Sequence, residues 1–158
     1  MGKSGAVLLL LLCGAACSLP PTIRTGDSQA GHDFVLMENY RGQIRKIAIS
    51  FEPGRVLQWE LIRSDDPERS KIPLAALDYG QPPTSMDQIF PPGVPQRPEE
   101  GQIIVVTFEY GSEGELDPIV PNLLTRWYQK KGRSFSELTE KEAEAEEYSR
   151  KAGKGEMR

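Results

Sequence analysis

The sequence is poor in cysteine and histidine, and this scarcity limits the chemistry that a folded domain can perform. Both cysteines, Cys13 and Cys17, stand near the start of the chain, and the one histidine is His32. A disulfide framework needs cysteines spread through the domain, and a catalytic triad or a histidine metal site needs partners for the histidine. We therefore expect no structural disulfide, no metal, no cofactor and no triad or thiol chemistry.

Positive charge is scarce as well. The chain has 19 Lys and Arg against 23 Asp and Glu, which leaves a formal net charge of -4. A nucleic-acid partner needs clustered positive charge, and this balance argues against one. The 13 prolines and 15 glycines predict a large share of turn and loop. A core must therefore come from a few strongly apolar stretches.

The apolar run at residues 6–12 has the order of a secretory signal peptide. Lys3 precedes the run, and small residues at 14–16 follow it. A transmembrane helix needs about 20 apolar residues, and this run is much shorter. We predict that residues 1–17 are a signal peptide and that the protein is exported.

The end of this leader, Gly-Ala-Ala-Cys at residues 14–17, resembles a bacterial lipobox. In a lipobox, small residues precede a cysteine that is acylated, typically with palmitate, and becomes the new amino terminus. The lipobox usually has Leu where this chain has Gly14. The alternative is a signal-peptidase cut after Ala16 or Ser18 and secretion to the extracellular space. We favour a lipoprotein anchored to a cell-envelope membrane through Cys17.

Composition divides the remaining chain into three parts. Residues 18–33 have the composition of a flexible linker, and residues 34–135 hold the apolar stretches of one domain. The tail, 136–158, opens with a capping box at Thr139–Glu142 and predicts a solvated helix, because it is charged all round.

The domain is predicted to be α+β. Residues 44–52 and 55–63 alternate apolar and polar side chains, which predicts a hairpin with a five-residue loop at 52–56 that pairs Ile49 with Leu57 or Trp59. An apolar stretch at 102–110 predicts a central strand. The segment 118–132 has apolar residues spaced three and four apart, which predicts an amphipathic helix. We expect a small antiparallel sheet, this packed helix and the solvated C-terminal helix.

Seven prolines between residues 73 and 98 predict a long irregular loop with apolar anchors at Leu74, Leu77, Ile89 and Phe90. Loops of this length inside a domain are often functional. A second, acidic loop follows the central strand. We therefore predict a surface for a protein partner, formed by the side chains of Phe90, Val94, Arg97, Glu113, Glu115 and Asp117.

The function predicted from these features is a non-enzymatic interaction or assembly module. One alternative is a secreted enzyme that acts on polysaccharides, because paired carboxylates can hydrolyse glycosides. The other alternative is a carrier of a small apolar ligand. A pocket with convergent carboxylates would favour the enzyme, and an enclosed apolar cavity would favour the carrier.

Overall fold

The computed structural model describes residues 22–25, 33–37, 43–111 and 122–155. The predicted signal peptide with Cys17 lies outside these residues, as do His32 and the predicted surface residues Glu113, Glu115 and Asp117. The described strands are β1 (Thr22–Thr25), β2 (Phe34–Met37), β3 (Gln43–Phe51), β4 (Val56–Arg63), β5 (Ala76–Leu77), β6 (Met86–Phe90), β7 (Ile103–Gly111), β8 (Asn122–Lys131) and β9 (Ser134–Leu138). The described helices are α1 (Pro67–Ser70) and α2 (Glu140–Gly155).

The described strands form two antiparallel sheets. The larger sheet has six strands in the order β6-β4-β3-β7-β8-β9, and the smaller has three in the order β1-β2-β5. The smaller sheet covers one face of the larger sheet, which we call the inner face. Side chains from both sheets share one core there, with Phe34 of β2 in an edge-on contact of 5.1 Å with the Tyr128 ring of β8. The class is mixed α+β but mostly β.

The predicted central strand and its hairpin neighbour are confirmed. β7 lies between β3 and β8, and Ile104, Val106 and Phe108 point into the core. The hairpin of β3 and β4 pairs Ile49 with Trp59, as predicted. The loop length was predicted wrongly, since Phe51 already pairs with Val56 and the loop is one residue shorter.

A β-bulge explains how the shorter loop keeps the apolar face intact. The register shifts by one residue between Ile49 and Ser50, so Ser50 pairs with Leu57 while Ile49 pairs with Trp59. Side chains alternate between the two faces, so a hairpin loop of four residues would pair apolar with polar positions. The extra residue of the bulge shifts the register by one and brings the apolar side chains back to the same face.

The predicted amphipathic helix at 118–132 is wrong where the structure describes it. Residues 122–131 form β8, which pairs with β7 over eight of its residues, from Tyr110 with Asn122 to Ile103 with Gln129. Apolar residues lie on both faces of β8, so their spacing also fits a helical period. The central strand needs hydrogen-bonding partners on both edges, and this requirement decides the conformation.

The proline-rich segment contains two short strands, β5 and β6, contrary to the prediction of no regular structure. Residues 84–90 are free of proline and can therefore supply an edge strand. Leu74 and Leu77 are buried, as predicted. Ile89 and Phe90 are exposed instead, and Met86 takes the buried position on β6.

Helix α2 begins with the predicted capping box. The Thr139 backbone N–H donates to Glu142 Oε2 at 2.7 Å, and the Glu142 N–H donates to Thr139 Oγ1 at 3.3 Å. The helix is mostly exposed, as expected, but it also docks on the outer face of the large sheet. Ala143 is buried there, and Arg150 Nη1 donates to the carbonyl of Gly101 at 2.8 Å.

Candidate functional site

An open cleft of about 420 Å³ lies between the proline-rich segment and the hairpin of β8 and β9. We call it the basic cleft, because three of the side chains that line it are cationic. Its volume falls in the range of small-molecule binding sites. The residues that line it are Asp33, Tyr79, Arg97, Pro98, Lys130, Gly132, Arg133 and Phe135.

One wall of the basic cleft is the turn between β8 and β9. Gly132 has a φ of +57°, a conformation that favours glycine and lets the chain reverse between Lys131 and Ser134. The Gly132 N–H donates to Glu100 Oε2 at 2.8 Å, which ties this turn to the end of the proline-rich segment. The turn therefore holds Lys130 and Arg133 at the mouth of the cleft.

The opposite wall is the proline-rich segment itself, which docks on the domain. Pro95 is buried, and the Tyr79 hydroxyl donates to the carbonyl of Gln96 at 2.8 Å. Burial raises the pKa of Tyr79 above its ordinary value of 10, because the charged form loses its hydration. These contacts fix the backbone next to Arg97.

Asp33, which directly precedes β2, bonds to the segment that follows β5, its neighbour in the smaller sheet. Its Oδ2 accepts the Tyr79 N–H at 2.9 Å, while its own N–H donates to Asp78 Oδ1 at 3.0 Å. The carboxylate of Asp33 thus serves a backbone amide, as the carboxylate of Glu100 does at Gly132. Asp33, the carboxylate that lines the cleft, and Glu100, which bonds to the lining residue Gly132, therefore both have structural partners.

The cationic groups differ from the carboxylates in this respect. Among the residues that the structure describes, neither Arg97 nor Arg133 forms an ion pair, and both side chains are exposed. Lys130 Nζ lies 4.6 Å from the centre of the Phe135 ring, a cation–π contact that positions the ammonium group without neutralising it. The cleft therefore presents positive charge that is available to a ligand.

The predicted partner residues are only partly brought together. Arg97 lines the basic cleft, whereas Phe90 and Val94, which are 39% and 84% exposed, do not. Sequence reasoning missed Lys130 and Arg133. The motif KKGR at 130–133 could have indicated them. If it is read as a hairpin turn at the glycine between two strands, it places these cations together at the turn.

A second, smaller cleft of about 190 Å³ lies beneath α2. It is lined by Ile103 of β7 and by Glu147 and Arg150 of the helix. Both charged groups that α2 contributes at these positions have partners: Glu147 pairs with Lys151, and Arg150 donates to the Gly101 carbonyl. This cleft is therefore formed by the docking of α2 on the sheet.

Comparison with protein families, curated proteins and solved structures finds no match. The basic cleft thus has to be interpreted from its own chemistry. In the described parts of the chain, no group of acidic, histidine or cysteine side chains is arranged to hold a metal ion. The helices described there include none that is long and apolar enough to cross a membrane.

Proposed function

We propose that the protein is an exported interaction module, held at a membrane by lipid on Cys17, that binds its partner at the basic cleft. The observation that carries this proposal is the contrast in the cleft between engaged carboxylates and unpaired cations. Arg97 and Arg133 have no ionic partner in the described residues, while Asp33 and Glu100 accept backbone N–H groups. Charged groups left available on fixed walls are suited to recognition.

The partner surface extends from the basic cleft along the proline-rich segment. Val94 is the most exposed large apolar side chain of the described residues. Its segment is attached to the domain through Gln88, whose side-chain amide donates to the carbonyls of Pro91 and Gly93. A partner would contact the apolar side chain of Val94 and the positively charged cleft next to it. Because hydrogen bonds already fix the backbone of this segment, less conformational entropy is lost on binding.

The anchor is tested by substitution of the two leader cysteines. We expect Cys17→Ala to move the protein from the membrane fraction to the soluble fraction and to remove the added lipid mass. Cys13→Ala is the matched control and should leave the protein anchored. An unmodified mature protein that begins after Ala16 or Ser18 would refute the anchor and favour plain secretion.

The partner surface is tested by site-specific photo-cross-linking in intact cells. A photoreactive residue at Val94 should give a discrete adduct, whereas the same residue at Lys141, on the exposed side of α2, should not. Adding Arg97→Gln and Arg133→Gln should abolish the Val94 adduct. An adduct that persists in this double variant would remove the basic cleft from the proposal.

A further inference from the structure

We infer that the basic cleft recognises a phosphate group, carried either by a lipid headgroup or by a soluble phosphate ester. This inference rests on the proposed function, because it names the ligand chemistry of the same site. The first observation is the distribution of charge. The whole chain has a net charge of -4, yet three cationic side chains line this cleft against one lining carboxylate. The positive charge is thus concentrated locally in an acidic protein.

The kinds of cation in the cleft favour an oxyanion ligand. Arg97 and Arg133 each present a planar guanidinium fork that can donate two parallel hydrogen bonds to oxygens of phosphate or carboxylate. Lys130 adds a compact charge whose position is set by the Phe135 ring. The cations come from two separate walls, Arg97 from the proline-rich segment and the others from the hairpin turn.

Three donor groups fit a phosphate better than a carboxylate. A carboxylate has two oxygens in one plane, whereas a phosphate monoester has three terminal oxygens that point in different directions, and its charge approaches two at neutral pH. A single carboxylate would leave at least one of the three cations without an oxygen of its own. The cleft volume of about 420 Å³ also leaves room for the organic group that carries the phosphate.

The position of the anchor brings the cleft near a membrane. Cys17 precedes Thr22, the first residue of β1, by five positions (22 − 17 = 5), which span at most about 18 Å of extended chain. At the other end of β1, about 10 Å along the strand, Thr25 pairs with Phe34, the neighbour of Asp33 in the cleft. A protein anchored at Cys17 therefore holds the basic cleft within reach of lipid phosphates.

Binding is measured on the full chain with Cys17→Ala, so that no lipid anchor contributes. The probe is glycerol 3-phosphate, followed by calorimetry, and glycerate is the control ligand because it carries a carboxylate on the same carbon skeleton. We expect glycerol 3-phosphate to bind more tightly than glycerate by about tenfold, the value of one extra charge-assisted hydrogen bond. Equal binding of the two ligands would overturn the choice of phosphate.

Two double variants test whether the cleft is responsible. Arg97→Gln with Arg133→Gln should weaken phosphate binding by more than about tenfold. Lys71→Gln with Lys141→Gln removes the same charge from exposed positions outside the cleft and should change the affinity less than about twofold. Thermal unfolding of each variant shows whether the fold is retained, and Arg97→Lys with Arg133→Lys should recover part of the affinity because charge is kept.

Flotation with lipid vesicles separates the two sources of phosphate. Binding to vesicles that contain phosphatidic acid, whose headgroup is a phosphate monoester, but not to phosphatidylcholine vesicles, lost in the Arg97 and Arg133 variant, would assign the headgroup. Binding of glycerol 3-phosphate alone would assign a soluble ester. If neither probe binds, the phosphate inference is wrong; should the Val94 cross-link still depend on Arg97 and Arg133, the interaction module itself stands.

Discussion

The two faces of the six-stranded sheet are buried in different ways. On the inner face, Ile104, Val106 and Phe108 of β7 pack into a continuous core under the smaller sheet. On the outer face, Ile103 and Val105 are equally buried but lie outside that core. Their cover comes from α2 and from neighbouring side chains of the same sheet, such as Trp127, which pairs with Val105.

Strand β7 therefore contributes to the buried core on its inner face and to a smaller contact with α2 on its outer face. Further along β7, the outer face carries Thr107, which lies 3.4 Å from Thr125 between their hydroxyl oxygens, and it ends beside Leu123, which is 57% exposed. The inner face thus supplies most of the stability. The outer face depends on a helix in which Ala143 is the one buried residue among positions 140–152, so this contact is the less stable of the two.

The largest expected effect is on the free energy of unfolding. It comes from the same substitution at two adjacent residues of β7 that lie on opposite faces. Val106→Asp places a charge in the core, where no cationic group is available to pair with it among the core side chains. It should cost about 4 kcal/mol or more in the free energy of unfolding. Thr107→Asp, on the outer face, should cost only about 1 kcal/mol. Urea titration of both variants measures the contrast, and equal losses would mean that the faces are not energetically distinct.

A smaller effect tests the contact of α2 with the outer face. Ala143→Asp buries a carboxylate under the helix and should cost about 2 kcal/mol, with faster hydrogen exchange at Ile103 and Val105. Ala145→Asp is the matched control, since Ala145 is exposed on the same helix, and it should cost less than about 1 kcal/mol. If both variants leave exchange in β7 unchanged, the helix does not protect the outer face.

The smallest effect is a pH dependence confined to α2. Hydrogen bonds from the backbone N–H and the hydroxyl of Thr139 hold the pKa of Glu142 below its ordinary value of 4.5. Because the folded pKa is depressed, this stabilisation is complete above pH 4.5 and is lost as the pH falls through the lower folded value. Amide exchange in the first turn of α2, expressed relative to the intrinsic rate of an unstructured peptide at the same pH, should therefore rise below pH 4.5, while the same ratio in the inner core stays unchanged.

A control variant separates the capping box from general acid effects. Thr139→Ala removes the hydroxyl that Glu142 both donates to and accepts from. In this variant the rise in exchange at low pH should be smaller, because part of the pKa shift is gone. A rise of the same size in the variant and the parent would assign the effect to other carboxylates.

In the basic cleft, one lining residue could be predicted from the sequence, but not the set of residues that the fold brings together there. Arg97 was selected from its place after prolines, and it does line the basic cleft. Lys130 and Lys131 fit the last turn of the helix predicted for this segment, with Gly132 after it, and Arg133 carried no prediction. The cleft exists only because β8 pairs with β7 and returns as β9, which places KKGR opposite the proline-rich segment.

Local chemistry in the sequence determined the central strand, the hairpin of β3 and β4, and the capping box of α2. These features depend on side chains close in the chain or on alternation within one strand. Tertiary structure alone decided that residues 122–131 are a strand. The open edge of β7 needed a partner for its backbone N–H and C=O groups, and that long-range demand outweighed a helical spacing that Leu124 and Tyr128 satisfy equally well in a strand.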